Sequence, residues 1–317
     1  MTDLLILLTL PKPVTAQYHA YLSKRFPQLK VDVADHFSRV DPFIETAKIL
    51  VTFAPMLRDE VLAKAKNLRW VQALGTGVDN LIDLPSLRGD VLITNLRGVH
   101  GPTMSEAAFM AMLALSRDLP RNIRNQDRQA WERWPSRLLD KKTVGILGVG
   151  LIAEVLAPRC KAFGMTVVGF SSGPRATPGF DRMYHRDELV RRAGELDYLN
   201  LLTPYSAETH FMVNAAVFSA MKPSAYLVNL ARGGVVDEDA LVAALEGGEI
   251  AGAALDVFLE EPLPQGHPLW TAKNVIITPH HGGFCDTYVD YALPVVEHNV
   301  ECFLRGDYGA MQYRIER

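Results

Sequence analysis

Residues 143–153 read TVGILGVGLIA, and this stretch decides the fold. A run rich in β-formers passes directly into Gly148-Val149-Gly150-Leu151-Ile152-Ala153, a GxGxxA turn, and a helical pattern follows it. In such a unit the first glycine permits the tight turn and the second lets backbone N–H groups approach a pyrophosphate. The small third residue, here Ala153, lets helix and strand pack closely. A second strand candidate at residues 166–170 arrives at the expected distance, so the flanks supply the context that a bare glycine string lacks. They predict a bound dinucleotide, with Gly148, Gly150, Leu151 and Ile152 among its contacts. Pro158 inside the helix predicts a kink, because it removes one backbone donor.

The same alternation extends both ways. Downstream, the runs TVVGF, YLNLL, AYLVNL, AGAALDVF and NVIITPH join TVGILGVG as six strands of one doubly wound sheet. Upstream, residues 4–8, 49–53, 70–73 and 91–94 read as strands, with helical patterns at 15–25 and 59–66 between them. The predicted class is α/β with two doubly wound parallel-sheet domains: a Rossmann-type cofactor domain and a flavodoxin-like substrate domain. Residues 105–117, SEAAFMAMLALSR, predict a buried helix linking the two. Residues 291–305 form a helical stretch with no strand to follow, which predicts a return to the first domain. The expected division is therefore 1–98 with 287–317 for the substrate and 99–286 for the dinucleotide.

Composition removes several classes. The chain has 317 residues, enough for two domains at about 100–200 residues each. Its 33 Lys and Arg against 36 Asp and Glu leave a net charge of −3, with no five-residue basic run, so a surface that tracks nucleic acid is not expected. The longest apolar runs, residues 4–8 and 107–115, fall short of the ~18–20 residues of a membrane span. No basic residue precedes the first apolar stretch, and Pro11 and Pro13 stand where a cleavage site would lie, so it reads as a strand rather than a signal peptide. Cys160, Cys285 and Cys302 are odd in number and widely spaced, which predicts reduced thiols in a cytoplasmic protein and no metal site.

The polar residues at strand ends carry the chemistry. The second cofactor-domain strand ends in Phe170-Ser171-Ser172-Gly173-Pro174-Arg175, without the Asp or Glu that accepts from the ribose hydroxyls in an NAD site. Ser171, Ser172 and Arg175 suit a 2′-phosphate, so NADPH is expected in preference to NADH; the alternative is an Arg175 that points into water. Arg232, Glu261 and His280 each follow a later strand, and strand ends of an open α/β sheet can converge on one ligand. A guanidinium can hold a 2-oxo acid's carboxylate or polarise its carbonyl, a histidine can donate a proton, and a carboxylate can keep that histidine protonated. Singly each has a plainer alternative: a surface arginine, a solvated Glu260 and Glu261 pair, a histidine that caps a loop. Gly75, Thr76 and Gly77 predict a nest of N–H groups for an anion, with Asp79 fixing the loop, against the alternative of a surface turn.

Together these segments resemble the D-isomer-specific 2-hydroxyacid dehydrogenases over nearly the whole chain. The motifs that carry the resemblance are ALGTGVDNL (73–81), TVGILGVGLIA (143–153), LLTPYSAETHFMVN (201–214), NLARGGVVDEDAL (229–241), LDVFLEEPLP (255–264) and TPHHGG (278–283). The resemblance implies Arg232, Glu261 and His280 as the catalytic set and Gly75, Thr76, Gly77 and Arg232 at the substrate. It places Thr203, Pro204 and Ala231 at the cofactor, and Asp256 near the nicotinamide carboxamide. It implies reduction of a small 2-oxo acid of the glyoxylate or hydroxypyruvate kind to the D-2-hydroxy acid. It also implies a homodimer through the cofactor domains, with residues 105–117 and the following arm at the interface. Trp131 and Trp134 on that arm are expected to pack, with a substrate pocket as the alternative. Three residues depart from the pattern: Ala153 replaces a glycine, the strand-end acid is missing, and His281 stands where an aliphatic residue is usual. The chain ends soon after the returning helix, without the regulatory module of many phosphoglycerate dehydrogenases, which favours a glyoxylate or hydroxypyruvate reductase as the expectation. The competing reading is a non-catalytic nucleotide sensor, similar to the corepressors built on this fold, and turnover with NADPH separates the two.

Overall fold

Twelve short strands form two parallel sheets in the computed structural model, which describes residues 1–54 and 57–316. The chain divides into two compact units, Met1–Val99 with Cys285–Arg317, and His100–Phe284. No described helix is long and apolar enough to cross a membrane.

In the first unit the strands are β1 (Leu4–Leu7), β2 (Val31–Ala34), β3 (Ile49–Thr52), β4 (Trp70–Ala73) and β5 (Leu92–Thr94), in the order β2-β1-β3-β4-β5. All pair in parallel, and the order is that of flavodoxin-like sheets. Strands β1, β3 and β4 are buried at every position, so both faces are covered and the sequence shows mainly apolar runs rather than alternation. Strand β2 escapes the sequence reading. It is an edge strand, VDVA, whose two central residues are only partly buried.

The C-terminal helix Tyr288–Arg305 completes this unit. It buries Val289, Ala292, Leu293, Val296 and Val300, a 3.6-residue spacing that joins the core of Leu4, Tyr18 and Trp70. Beyond it the chain runs antiparallel to β5: Thr94 bridges Arg314, and Ile315 N–H donates to the Ile93 carbonyl at 2.9 Å. A polar network, buried at Trp70, Gln72, Thr94 and Asn299, anchors this return. The Asn299 amide donates to Gln72 Oε1 at 2.9 Å, its Oδ1 accepts from Gln312 N–H at 2.7 Å, and Thr94 Oγ1 links Gln72 to the Trp70 indole. Each polar group there has a partner, which is the condition for burying it without loss.

The second unit carries β6 (Thr143–Leu147), β7 (Thr166–Ser171), β8 (Arg182–His185), β9 (Tyr198–Leu201), β10 (Tyr226–Asn229), β11 (Gly252–Leu255) and β12 (Val275–Ile277). Their order is β12-β11-β10-β9-β6-β7-β8, the Rossmann arrangement with a seventh strand. The chain moves outward from β6 to β8 and returns to the other side at β9, so the switch point lies between β6 and β9. The unforeseen strand is again an edge, β8, whose residues Arg-Met-Tyr-His are exposed or partly buried. One local expectation changes. The helix Gly101–Ser116 is a layer of this unit rather than a link outside it, packed so closely on helix Leu151–Ala162 that a Cβ on Gly101 would lie 2.8 Å from Val155. Helix Leu151–Ala162 in turn runs unbroken through Pro158, whose ring lies beside Gly179.

Asn299→Ala removes one member of the buried network and leaves the Gln312 N–H and its carbonyl without partners. The expected cost is about 1–3 kcal/mol of unfolding free energy in urea denaturation, against about 0.5 kcal/mol for a neutral surface change. An unaltered denaturation midpoint would show that the network does not hold the C-terminal return.

Candidate active site

The switch point is built on one glycine. Gly148 follows β6 with φ +97°, and a Cβ there would lie 2.4 Å from the Thr203 nitrogen at the end of β9. Only glycine combines that backbone with that approach. Gly150 stands at the N-cap of helix Leu151–Ala162 without a side-chain cap, and a Cβ on it would meet nothing within 4 Å. Unpaired helix N–H groups beside open space fit a pyrophosphate. Ala153 is fully buried, as close packing requires, while Leu151 is exposed and Ile152 half-buried. Thr203 and Ala231 are buried, and the Pro204 carbonyl accepts from Thr209 Oγ1 at 2.9 Å.

Strand β7 ends on Ser171, whose Oγ is buried with no hydrogen-bond partner. An orphaned hydroxyl at this place is the kind of group that a ligand satisfies. Ser172 and Gly173 are exposed. Arg175 neither stands alone in water nor points freely away: its Nη2 lies 2.9 Å from Glu154 Oε1, on the first turn of the glycine-loop helix. The sequence reading missed Glu154 because nothing in spacing alone brings residues 154 and 175 together.

Arg232, Glu261 and His280 do come together. Arg232 lies three residues past β10, in a turn held by the buried Asn229, whose Oδ1 accepts from Ala231 N–H at 3.0 Å and whose amide donates to the Arg232 carbonyl at 3.1 Å. Glu261 Oε1 accepts from the Phe258 N–H at 3.0 Å, and its Oε2 lies 2.6 Å from His280 Nδ1. Burial pushes the Glu261 carboxyl up, but hydrogen bonds from His280 and Phe258 and the positive charges of His280 and Arg232 outweigh it, leaving it below the usual carboxylate range. Glu261 is thus an anion that accepts a hydrogen bond from Nδ1–H, and Nε2 is the ring nitrogen left for another partner. Of the two adjacent histidines, the one paired with the carboxylate is His280.

The loop carrying His280 has its own support. His280 adopts φ +50°, and its N–H donates to the Asp256 carbonyl at 2.8 Å. The Asp256 carboxylate, 2% exposed, accepts from Thr278 Oγ1 at 2.5 Å, His281 N–H at 3.0 Å and Gly282 N–H at 2.8 Å. The carboxylate of Asp256, which the resemblance places near the nicotinamide carboxamide, is bonded to the histidine loop. A Cβ on Gly282 would come within 2.9 Å of Asp256 Oδ2, so that residue must be small.

In the other unit, the loop at Gly75, Thr76 and Gly77 follows β4. Thr76 Oγ1 donates to the Leu96 carbonyl at 3.1 Å, the Thr76 carbonyl accepts from the Asn95 amide at 2.6 Å, and Tyr288 Oη donates to the Leu74 carbonyl at 2.6 Å. Gly75 does not use the left-handed backbone that its freedom allows. Asn95, Leu96 and Tyr288 are supports of this loop that the sequence reading did not name. Trp131 is 89% exposed, so packing within the chain does not explain it; the Arg121 guanidinium covers the Trp134 ring at 4.1 Å.

Comparison with known proteins matches these features. The model for the NAD binding domain of D-isomer specific 2-hydroxyacid dehydrogenases matches residues 109–282. The chain is 33% identical over 254 residues to D-3-phosphoglycerate dehydrogenase of Methanocaldococcus jannaschii, a match that covers 78% of this chain and about half, 48%, of that longer protein. It is 36% identical over 230 residues to glyoxylate/hydroxypyruvate reductase A of Serratia proteamaculans, covering 70% of this chain and 72% of the relative. A solved D-isomer specific 2-hydroxyacid dehydrogenase family protein from Aeromonas salmonicida superposes with a TM-score of 0.88 at 34% identity, over 100% and 99% of the two chains. With the sheet orders, the glycine turn and the paired His280 and Glu261 in place, the chain belongs to the D-isomer-specific 2-hydroxyacid dehydrogenase family.

Proposed function

We propose that the protein reduces a small 2-oxo acid of the glyoxylate or hydroxypyruvate class to the D-2-hydroxy acid, with NADPH preferred over NADH. The observation that carries this reading is the 2.6 Å contact of His280 Nδ1 with an ionised Glu261, in the field of Arg232. In this reading the unit His100–Phe284 holds the dinucleotide and the unit containing Gly75, Thr76 and Gly77 receives the substrate carboxylate. The protein acts in the cytoplasm as a homodimer.

The dinucleotide would lie along Gly148, Gly150, Leu151, Ile152, Ser171, Ser172, Thr203, Pro204 and Ala231, and when bound it supplies the hydride for the keto carbon. Arg232 holds the carboxylate and stabilises negative charge that develops on the keto oxygen. His280 gives that oxygen its proton from Nε2, while Glu261 fixes the ring through Nδ1. Because a carboxylate at the end of β7 would repel a 2′-phosphate and none is present there, Ser171, Ser172 and Arg175 favour NADPH. Reach to the phosphate requires Arg175 to leave Glu154, an exchange of one exposed anion for another. The likeness to a phosphoglycerate dehydrogenase makes oxidation of D-3-phosphoglycerate the second reading. Initial rates on a panel of glyoxylate, hydroxypyruvate and larger 2-oxo acids, and on D-3-phosphoglycerate, with either cofactor, decide between them; a chain inactive on all of these would be a nucleotide-binding protein instead.

General acid catalysis is worth about 10²–10⁴-fold, so His280→Ala should lower kcat by that order with cofactor affinity retained. The reverse pattern, with His281→Ala inactive and His280→Ala normal, would move the proton donor. For the cofactor, a charge-assisted hydrogen bond contributes about 1.5–3 kcal/mol, so Arg175→Ala should weaken NADPH roughly ten- to a hundredfold and NADH little. Equal losses for both cofactors in fluorescence titrations would rule Arg175 out of the selection. Glu261 provides the pH test. A carboxyl lowered on folding stabilises the protein above its unfolded pKa, about 4.3, and loses that contribution as pH falls through the lower folded value. The stability difference between wild type and Glu261→Gln should therefore shrink as pH falls below about 5 in urea titrations. A difference that stays level below about pH 5 would mean that folding does not lower the Glu261 carboxyl.

A further inference from the structure

We infer that Glu238 is the positioning residue of the carboxylate end of this active site: it holds the turn that presents Glu261 to His280. The inference rests on the reading of Glu261 and His280 given above. Glu238 opens the helix Glu238–Gly247 and is 7% exposed. It does not cap that helix, because Asp237 does so by accepting from the Ala240 N–H at 3.1 Å. Instead Glu238 Oε1 accepts from the Leu259 N–H at 2.6 Å, while Glu261 Oε1 takes the neighbouring Phe258 N–H. Two successive N–H groups of one turn are thus divided between a carboxylate that supports the turn and the carboxylate that pairs with His280.

The second oxygen of Glu238 is also engaged. Its Oε2 lies 3.5 Å from His267 Nε2, and His267 Nδ1 accepts from the Leu269 N–H at 3.3 Å. The same peptide is gripped from another side: a Cβ on Gly233 would fall 1.9 Å from the Phe258 carbonyl carbon and 2.3 Å from the Leu259 nitrogen. The peptide joining Phe258 and Leu259 therefore lies between Gly233 and Glu238, both on the segment that follows Arg232. This sets the distance between the Arg232 and Glu261 backbones. Burial pushes the Glu238 carboxyl up, with the Leu259 N–H and His267 opposing and the charges of Asp239 and Glu261 adding to it. Charged or neutral, its carbonyl oxygen accepts the Leu259 N–H, so the contact needs an acceptor at this reach rather than a charge.

Three substitutions separate reach from charge. Glu238→Gln keeps the acceptor at the same distance and should retain wild-type kcat. Glu238→Ala and Glu238→Asp lose the reach and should lower kcat for 2-oxo acid reduction about ten- to a hundredfold, with cofactor Kd unchanged, since small misplacements at a reacting centre cost that much. Hydrogen exchange supplies a readout that does not depend on turnover: Leu259 N–H should exchange faster in the Ala and Asp variants and as in wild type in Gln. Should wild type turn over no 2-oxo acid, the reduction reading falls, and the exchange rates still decide whether Glu238 holds the turn. The inference is overturned if the Asp variant exchanges and turns over like wild type, if Gln is as impaired as Ala, or if kcat and cofactor affinity fall together.

Discussion

The approach of Gly233 to the peptide between Phe258 and Leu259 constrains the rest of the second unit's polar chemistry. A single methyl group there would overlap the backbone, with a nearest distance of 1.9 Å, so the loops that follow β10 and β11 lie in contact only because this residue has no side chain. Arg232 precedes that glycine by one residue, and Glu261 follows the peptide by two. The guanidinium and the carboxylate are therefore brought together by backbone packing, and their mutual attraction adds to an arrangement already made. Strand order makes the approach available, because β10 and β11 pair in parallel and release both loops at the same edge.

Three carboxylates serve the loops around this point, and one of them, Glu261, pairs with His280. Asp256 spends both oxygens on the loop of His280, Glu238 spends its oxygens on the turn of Glu261 and on His267, and Glu261 divides its oxygens between a backbone N–H and the histidine. The difference follows from burial. Asp256 and Glu238 are 2% and 7% exposed, where a carboxylate is tolerated only with its bonding capacity met from the protein. Glu261 is more open, and its charge is stabilised by two cationic neighbours rather than by backbone alone.

The first unit obeys a different constraint. Its sheet ends at β5, and the antiparallel pairing of Thr94 with Arg314 covers that edge with a segment more than two hundred residues away in sequence. The buried bonds among Gln72, Thr94, Asn299 and Gln312 make the pairing specific, since an imperfect return would leave polar groups unpaired inside the core. The same helix donates from Tyr288 to the carbonyl of Leu74, immediately before Gly75. Closure of the unit and support of the loop are thus one structural event.

By itself the sequence determined the class, the two sheets and the interior strands, because strands buried on both faces must be written as continuous apolar runs. It also marked Gly148, Arg232, Glu261 and His280, whose residue types stand at strand ends where an open sheet binds its ligands. Tertiary structure alone decided the edge strands β2 and β8, whose polar or half-exposed residues carry no such run. It alone decided that Arg175 meets Glu154, that Asp256 serves the histidine loop, and that Glu238 accepts from the Leu259 N–H of the neighbouring turn. The physical reason is common to these cases. A hydrogen bond needs donor and acceptor within about 3 Å, and for residues tens of positions apart that distance is set by how strands pair and turns stack, which no local pattern encodes.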